Sequence, residues 1–452
     1  MIGLLITLIA FPLIGAAMHR LLGGGPRFLL GVGTAGVVLH LTLLLHVPMV
    51  PVMVVLVLGA LFYVSGGHVR RSAAKDLKMR NSGILRSFGV FAPQDDVGRK
   101  RVLPALVTIL PIIALLFASA IIPLADFDGR AFWVLKAKAI ASEGSIDGPF
   151  FQGQTAYNPK NEYPLLVPIV NAAVMIASGG TDDLAIRWIS VLALGSLAFH
   201  ARRWVGAWPA ALIPWIPQFA IAPEGGALSG YSDILLGAFA ACAFFELLER
   251  ASPLRLGVWL SFLVLTKNEG LPLALILLVA AAVVWRARSL RSMPPVLISL
   301  VALVVWRGRV KPTDDDPLIS LLPTLPDQVE KLLPAMAGLA RHAFEIERWG
   351  FFWIAVLAAA VFLFVRREWG TLVLPATIIA AMVGVYTVAY TVTIWKLEDH
   401  IEASASRLLM HLIGPATFLI SACGRSRYIP VLHQPTGASP EPGHRDPDPS
   451  HL

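Results

Sequence analysis

Apolar stretches long enough to span a bilayer recur along almost the whole chain, and the charged residues are confined to the breaks between them. A hydrocarbon core about 30 Å thick needs roughly 20 apolar residues in a helix, so each stretch is a candidate span. Apolar residues run continuously here instead of alternating, which excludes a membrane β-barrel. Only 15% of the residues are charged and 56% are hydrophobic. A water-soluble globule carries nearer a quarter charged. The expected fold is therefore all-α: a polytopic membrane protein of about 13 transmembrane helices, with further helices lying beside the membrane at its outer face.

The apolar runs fall at 2–18, 28–46, 49–65, 103–123, 184–200, 206–222 and 232–249, then in a hairpin within 256–285, and at 294–306, 349–365, 371–393 and 408–422. The loop after the third run carries Arg70, Arg71, Lys75, Lys78, Arg80, Arg86, Arg99, Lys100 and Arg101 against Asp76, Asp95 and Asp96, which assigns it to the cytoplasm. Alternation from that anchor puts the N-terminus outside and the C-terminus inside. Residues 1–66 then form three N-terminal helices, 67–102 a basic cytoplasmic loop and 103–422 the main membrane module. Its outer loops are 124–183, 223–232, 308–347 and 394–407. Residues 423–452, rich in Pro, Gly, His and Asp, read as a disordered cytoplasmic tail.

Residues 1–17 lack a basic n-region and a small-residue cleavage site, so they read as an uncleaved helix. The net charge of +8 sits in loops flanking apolar runs. Topology accounts for it, and membrane lipids are the expected surroundings, with no nucleic-acid partner. Two cysteines, Cys242 and Cys423, encode neither a disulfide framework nor a thiolate metal site.

The outer loop 124–183 combines paired acids, spaced lysines and a Tyr-Pro step. Asp126 and Asp128 follow the end of a span, where a carboxylate can serve as a base or a metal ligand. Asp128 is equally placed to cap the helix beginning at Gly129. Segments 130–144 and 164–180 are too short or interrupted to span, and suit interfacial helices. Tyr231, Ser232 and Asp233 open a span on the same face, as a cap or as a second acid across a cavity, with Glu224 nearby. Lys267, Asn268 and Glu269 interrupt apolar sequence, either as a functional intramembrane group or as a turn holding a Lys-Glu pair. Arg187 and Arg407 stand at outer ends of spans, suited to phosphate or to anchoring. Lys136 and Lys138 bind a ligand or snorkel toward lipid phosphates.

Taken together, these residues resemble the GT-C superfamily of integral-membrane glycosyltransferases, which includes protein O-mannosyltransferases, lipid A aminoarabinose transferases and oligosaccharyltransferase catalytic subunits. The resemblance is closest to a bacterial subgroup of glycosyltransferase-like proteins. It rests on Asp128 to Trp133 (DGRAFW) with Lys136 and Lys138, Tyr163-Pro164, Arg187, Asp233, Leu265 to Gly270 (LTKNEG), and Ser406-Arg407 ahead of Pro415. It covers roughly 103–422, through order and topology more than through one motif. Tyr163 stands where some relatives place a lysine that holds the carrier phosphate, with Lys160 nearby. Three helices precede the one that usually comes first, and no large soluble domain follows the last span.

The resemblance implies a multi-pass protein of the bacterial plasma membrane. It would move a sugar from a polyprenyl-phosphate carrier to a glycan, lipid or protein acceptor at the extracytoplasmic face. Asp128 is the expected general base, with Asp233 and Asp126 beside it. Lys136, Lys138, Lys160, Tyr163, Arg187, Lys267, Glu269 and Arg407 are the expected substrate-binding groups. A divalent cation, Mg or Mn, is compatible with the oxygen ligands of Asp126, Asp128, Asp233 and Glu224. The other readings are a transporter or flippase of a lipid-linked or anionic substrate, and a non-catalytic protein of the same fold.

Overall fold

The computed structural model describes residues 2–75, 96–154, 160–181, 183–310 and 321–424. Most of the basic loop and nearly all of the C-terminal tail fall outside these residues. Among those described there is no strand, and the chain runs as helices joined by short connections.

The first two helices, α1 (Ile2–Leu22) and α2 (Arg27–Leu44), form a tight hairpin. Three glycines of α2 set its packing. A Cβ on Gly31 would lie 1.8 Å from the Phe11 carbonyl oxygen, one on Gly33 2.3 Å from the Phe262 ring, and one on Gly36 2.6 Å from Leu166. The backbone of α2 thus lies directly against three neighbours, and Leu29, Leu30, Val32, Ala35 and Leu39 are fully enclosed. The third helix, α3 (Met49–Lys75), packs outside this pair and leaves Val54, Val55, Leu58 and Phe62 exposed.

Helix α4 (Asp96–Ile121) carries the clearest lipid-facing stripe. Leu103, Leu106, Leu110, Ile113 and Phe117 recur at three- and four-residue spacing and are all more than half exposed, while Thr108, Leu115 and Ser119 are buried on the other side. An apolar stripe turned away from the protein is what a bilayer rewards and water does not. Beyond α4, a π-helical turn (Gly129–Val134) leads into α5 (Leu135–Glu143), which ends at the left-handed Gly144, where the sequence pattern places its end.

Two expectations are corrected here. The segment 164–180 forms α6 (Leu166–Ser178), whose first ten residues are all buried, so it does not lie at a lipid interface. It packs against α1, α2, α5 and α7 (Leu184–Val205), because a helix apolar on every side is stable only when enclosed all round. Pro168 falls in its first turn, where the missing N–H costs nothing. The run 206–222 is not one span. It breaks into α8 (Ala207–Leu212), a 3-10 turn (Ile213–Trp215) and α9 (Pro217–Ala220), since Pro214 and Pro217 cannot continue the hydrogen-bond ladder.

The most enclosed helix is α10 (Asp233–Glu249), buried continuously from Asp233 to Leu247. It is surrounded by α7, α11 (Pro253–Thr266), α12 (Gly270–Trp285) and the two last helices. Then follow α13 (Met293–Arg309), α14 (Leu332–Ala343), the single turn α15 (Ile346–Trp349), α16 (Phe352–Val365) and α17 (Trp369–Thr391). The chain closes with α18 (Leu397–Met410) and α19 (Ile413–Ala422), bent by 57° at the break between them. Among the described residues, four helical stretches are long and apolar enough to cross a membrane, or five if that bent pair is one span, with shorter apolar helices beside them. This fits a polytopic membrane protein without resolving 13 separate spans.

Polar side chains gather at two opposite ends of α10. At its C-terminal end Arg255 donates to Glu246, Arg203 reaches Glu249 at 2.8 Å, and Arg255 also donates to the Leu22 carbonyl at 3.4 Å. This clasp ties the N-terminal hairpin to the α10–α11 turn. At the N-terminal end lies the second cluster.

Candidate functional site

Close backbone approach creates the second cluster. A Cβ on Gly129 would stand 2.0 Å from the Ser229 carbonyl oxygen, so only glycine lets the 126–134 segment pack onto the loop that leads into α10. Asp126 and Asp128 thereby arrive beside Tyr231 and Asp233.

The two acids divide their roles. Asp126 Oδ1 accepts a hydrogen bond from the Gly129 amide at 3.4 Å, and its carbonyl accepts from the Arg130 amide, so Asp126 caps this helix. Asp128 makes no capping bond. Its Oδ2 pairs with Arg407 Nη1 at 3.1 Å, across from α18. The guanidinium of Arg407 also lies over the Tyr231 ring, 4.7 Å from its centre.

Asp233 is fully buried at the first turn of α10 and caps nothing. Both of its donors meet Oδ1: Lys267 Nζ at 2.9 Å and His411 Nε2 at 3.0 Å. Lys267 sits in the break between α11 and α12 and holds Glu269 Oε1 at 3.0 Å. This segment is thus a helix break holding a Lys-Glu pair, and its lysine is enclosed. Asn268 Oδ1 accepts from Arg307 at 2.8 Å, fixing the break to α13.

His411 stands at the bend between α18 and α19, and its Nδ1 lies 2.9 Å from the Tyr386 hydroxyl. A carboxylate only accepts, so His411 presents Nε2–H to Asp233. In the neutral ring Nδ1 then accepts from Tyr386. Sequence reading passed over both residues. The usable signal was a His and a Tyr inside apolar runs, where polar groups need partners.

The remaining candidates separate. Lys136 is buried rather than snorkelling, donates to the Lys160 carbonyl at 2.6 Å, and lies 5.4 Å from the centre of the Tyr163 ring and 5.8 Å from that of Trp133. Burial lowers its pKa to about 7, with Glu162 partly opposing. Burial raises the Tyr163 and Tyr231 hydroxyls well above the usual range. The Tyr163 carbonyl accepts from Trp306 Nε1 at 3.1 Å. Lys160 adopts a left-handed backbone and places Nζ 5.8 Å from the centre of the Trp395 ring.

Three further candidates are engaged elsewhere. Lys138 pairs with Asp183 at 2.9 Å, Glu224 pairs with Arg348 at 3.2 Å, and Arg187 donates to the Ile122 carbonyl. The expected cation ligands are thus not assembled. Among the described residues no group of three or more His, Cys, Asp or Glu is placed to hold a metal ion. Asp128 and Asp233 are each occupied by a cationic side chain, and Glu224 faces another element.

Comparison of the chain with protein-family models, curated proteins and solved structures returns no match.

Proposed function

We propose that this protein is a membrane glycosyltransferase that takes a sugar from a polyprenyl-phosphate carrier at the outer face and passes it to an acceptor hydroxyl. The observation that supports this reading is the convergence of Asp128, Asp233, Lys267, Glu269 and Arg407, from four distant segments, into one cluster of opposed charges in which Asp233 and Lys267 are buried and Asp128 and Glu269 remain partly exposed. Structural salt bridges rarely repay the desolvation of so many groups, so a cluster of this kind is a functional candidate.

In the proposed reaction Asp128 takes the proton of the acceptor hydroxyl, whose oxygen attacks the anomeric carbon. The bond from that carbon to the phosphate oxygen breaks, the configuration inverts, and prenyl phosphate leaves with its charge on Arg407 and neighbouring basic groups. Arg407 holds Asp128 in the ligand-free protein. A carrier phosphate competes for the same guanidinium and so frees the base only when donor is present. The second acid, Asp233, is held by Lys267 and His411 and does not exchange protons in this scheme.

The test is transfer from a radiolabelled polyprenyl-phosphate sugar by protein reconstituted in nanodiscs. Asp128→Asn should keep its fold while transfer falls by about 10² to 10⁴, the usual worth of a positioned base. Because Asp126 is the cap, Asp126→Ala should cost about 1 kcal/mol of stability, whereas Asp128→Asn disturbs no cap and keeps an acceptor for Arg407 while losing the charge of that pair. Undiminished transfer by Asp128→Asn removes the base assignment. Movement of the carrier across the bilayer without transfer would instead identify a flippase.

A further inference from the structure

Three polar atoms of the cluster are enclosed and meet no protein partner: Oδ2 of Asp233, Oε2 of Glu269 and Nε of Arg407. Their distribution is asymmetric. Lys267 and His411 both bond Asp233 through Oδ1, and Lys267 takes Glu269 through Oε1 at 3.0 Å, so each carboxylate is engaged on one oxygen and open on the other. Tyr386 maintains this arrangement by holding the His411 tautomer that donates to Oδ1. Arg407 uses Nη1 on Asp128 and leaves Nε over.

An enclosed acceptor without a donor is costly, and here two such acceptors flank one ammonium. The part of a ligand that meets both oxygens must bring donors and no negative charge of its own, which excludes placing an anionic group there. A bare metal cation would face the ammonium of Lys267. Neutral hydroxyl groups meet the requirement, since hydroxyl-to-carboxylate hydrogen bonds are charge-assisted and strong.

We propose that Asp233 Oδ2 and Glu269 Oε2 form a recognition pair for the hydroxyl groups of a neutral sugar, while Arg407 Nε takes an anionic oxygen attached to that sugar. This rests on the carrier reading above and deepens it: the pair is the sugar subsite and Arg407 the phosphate subsite. Glu269, whose side chain is 24% exposed against 0% for Asp233, marks the side from which the ligand enters.

The experiment uses the full chain in nanodiscs and three kinds of probe. These are a short prenyl phosphate, the same prenyl phosphate carrying a hexose or pentose, and the methyl glycosides of those sugars. At least one glycosylated carrier should bind about tenfold or more tighter than bare prenyl phosphate, since a site built for hydroxyls rejects a ligand lacking them. Glu269→Gln and Asp233→Asn should bring that ratio close to one while leaving affinity for the bare phosphate nearly unchanged.

Equal binding of bare and glycosylated carrier by the wild type overturns the subsite, as does a ratio that survives in Glu269→Gln. Glu269 is partly exposed, so that variant decides the matter even where Asp233→Asn does not fold. If prenyl phosphates fail to bind but a methyl glycoside binds in a Glu269-dependent way, the carrier reading falls and the sugar subsite stands. Failure of every sugar-bearing probe to bind overturns the subsite.

Discussion

Lys136 shows how one side chain can differ from its sequence-level description. A lysine on a helix beside a membrane ordinarily extends its ammonium toward phosphates. Here the turn at 160–163 closes over it, and the Lys160 carbonyl and the Trp133 and Tyr163 rings lie beside its nitrogen, with the charges of Glu162 and Lys160 acting on it in opposite directions. With its pKa lowered to about 7 in the folded protein, Lys136 is neutral there between about pH 7 and 10. The unfolded chain binds one more proton over that window, so stability should rise with pH from about 7 to 10. Below pH 7 both states carry the proton and the slope should vanish. Thermal unfolding of the detergent-purified protein should show this slope, and Lys136→Met should flatten it. A wild-type midpoint independent of pH across that window would contradict the burial of a neutral amine. The division of labour between Asp126 and Asp128 was likewise beyond sequence reading. Both acids lie within reach of the helix start, and only the position of Arg407, which follows them by some 280 residues in sequence, draws Asp128 away from it.

At the scale of elements, α2 decides whether the N-terminal helices are an appendage or part of the molecule. Its glycines at 31, 33 and 36 bring it against α1, α11 and α6, so the hairpin is continuous with the core. Gly31→Ala should drive a methyl group into the Phe11 carbonyl and lower stability by about 1 to 3 kcal/mol. Gly59→Ala on α3, where nothing stands within 4 Å, should be neutral or stabilising, because alanine is the better helix former by about 1 kcal/mol. Melting temperatures of the two variants in one detergent check this, and equal effects would mean that the α1–α2 contact is looser than described. The end of α5 at Gly144 and the break at Lys267 to Glu269 were legible in the sequence, since a left-handed glycine and a charged interruption are local signals. The enclosure of α6 and the fragmentation of 206–222 were not. An apolar helix reads the same whether protein or lipid surrounds it, and hydropathy does not register the proline breaks that turn one span into pieces.

Across the whole molecule, two polar clusters lie at opposite ends of α10. The ends of α7, α10 and α11 that carry Arg203, Glu249 and Arg255 share one side, and Asp128, Lys267 and Arg407 share the other. In a background with Cys423→Ser, a cysteine at Thr181 should react with an impermeant maleimide in intact cells, while one at Ala287 should react only after permeabilisation. The reverse pattern would place the acid cluster in the cytoplasm and remove an outer-face carrier from consideration. The sequence by itself determined the helical class, the membrane setting and the alternation of charged ends, because hydropathy and short-range patterning are local and additive along a chain. Only the tertiary structure decided which acid caps and which pairs, which oxygen of Asp233 stays open, and that His411 and Tyr386 belong to the site. Those outcomes depend on side chains that meet across tens or hundreds of residues, where a 3 Å contact leaves no trace in either sequence neighbourhood.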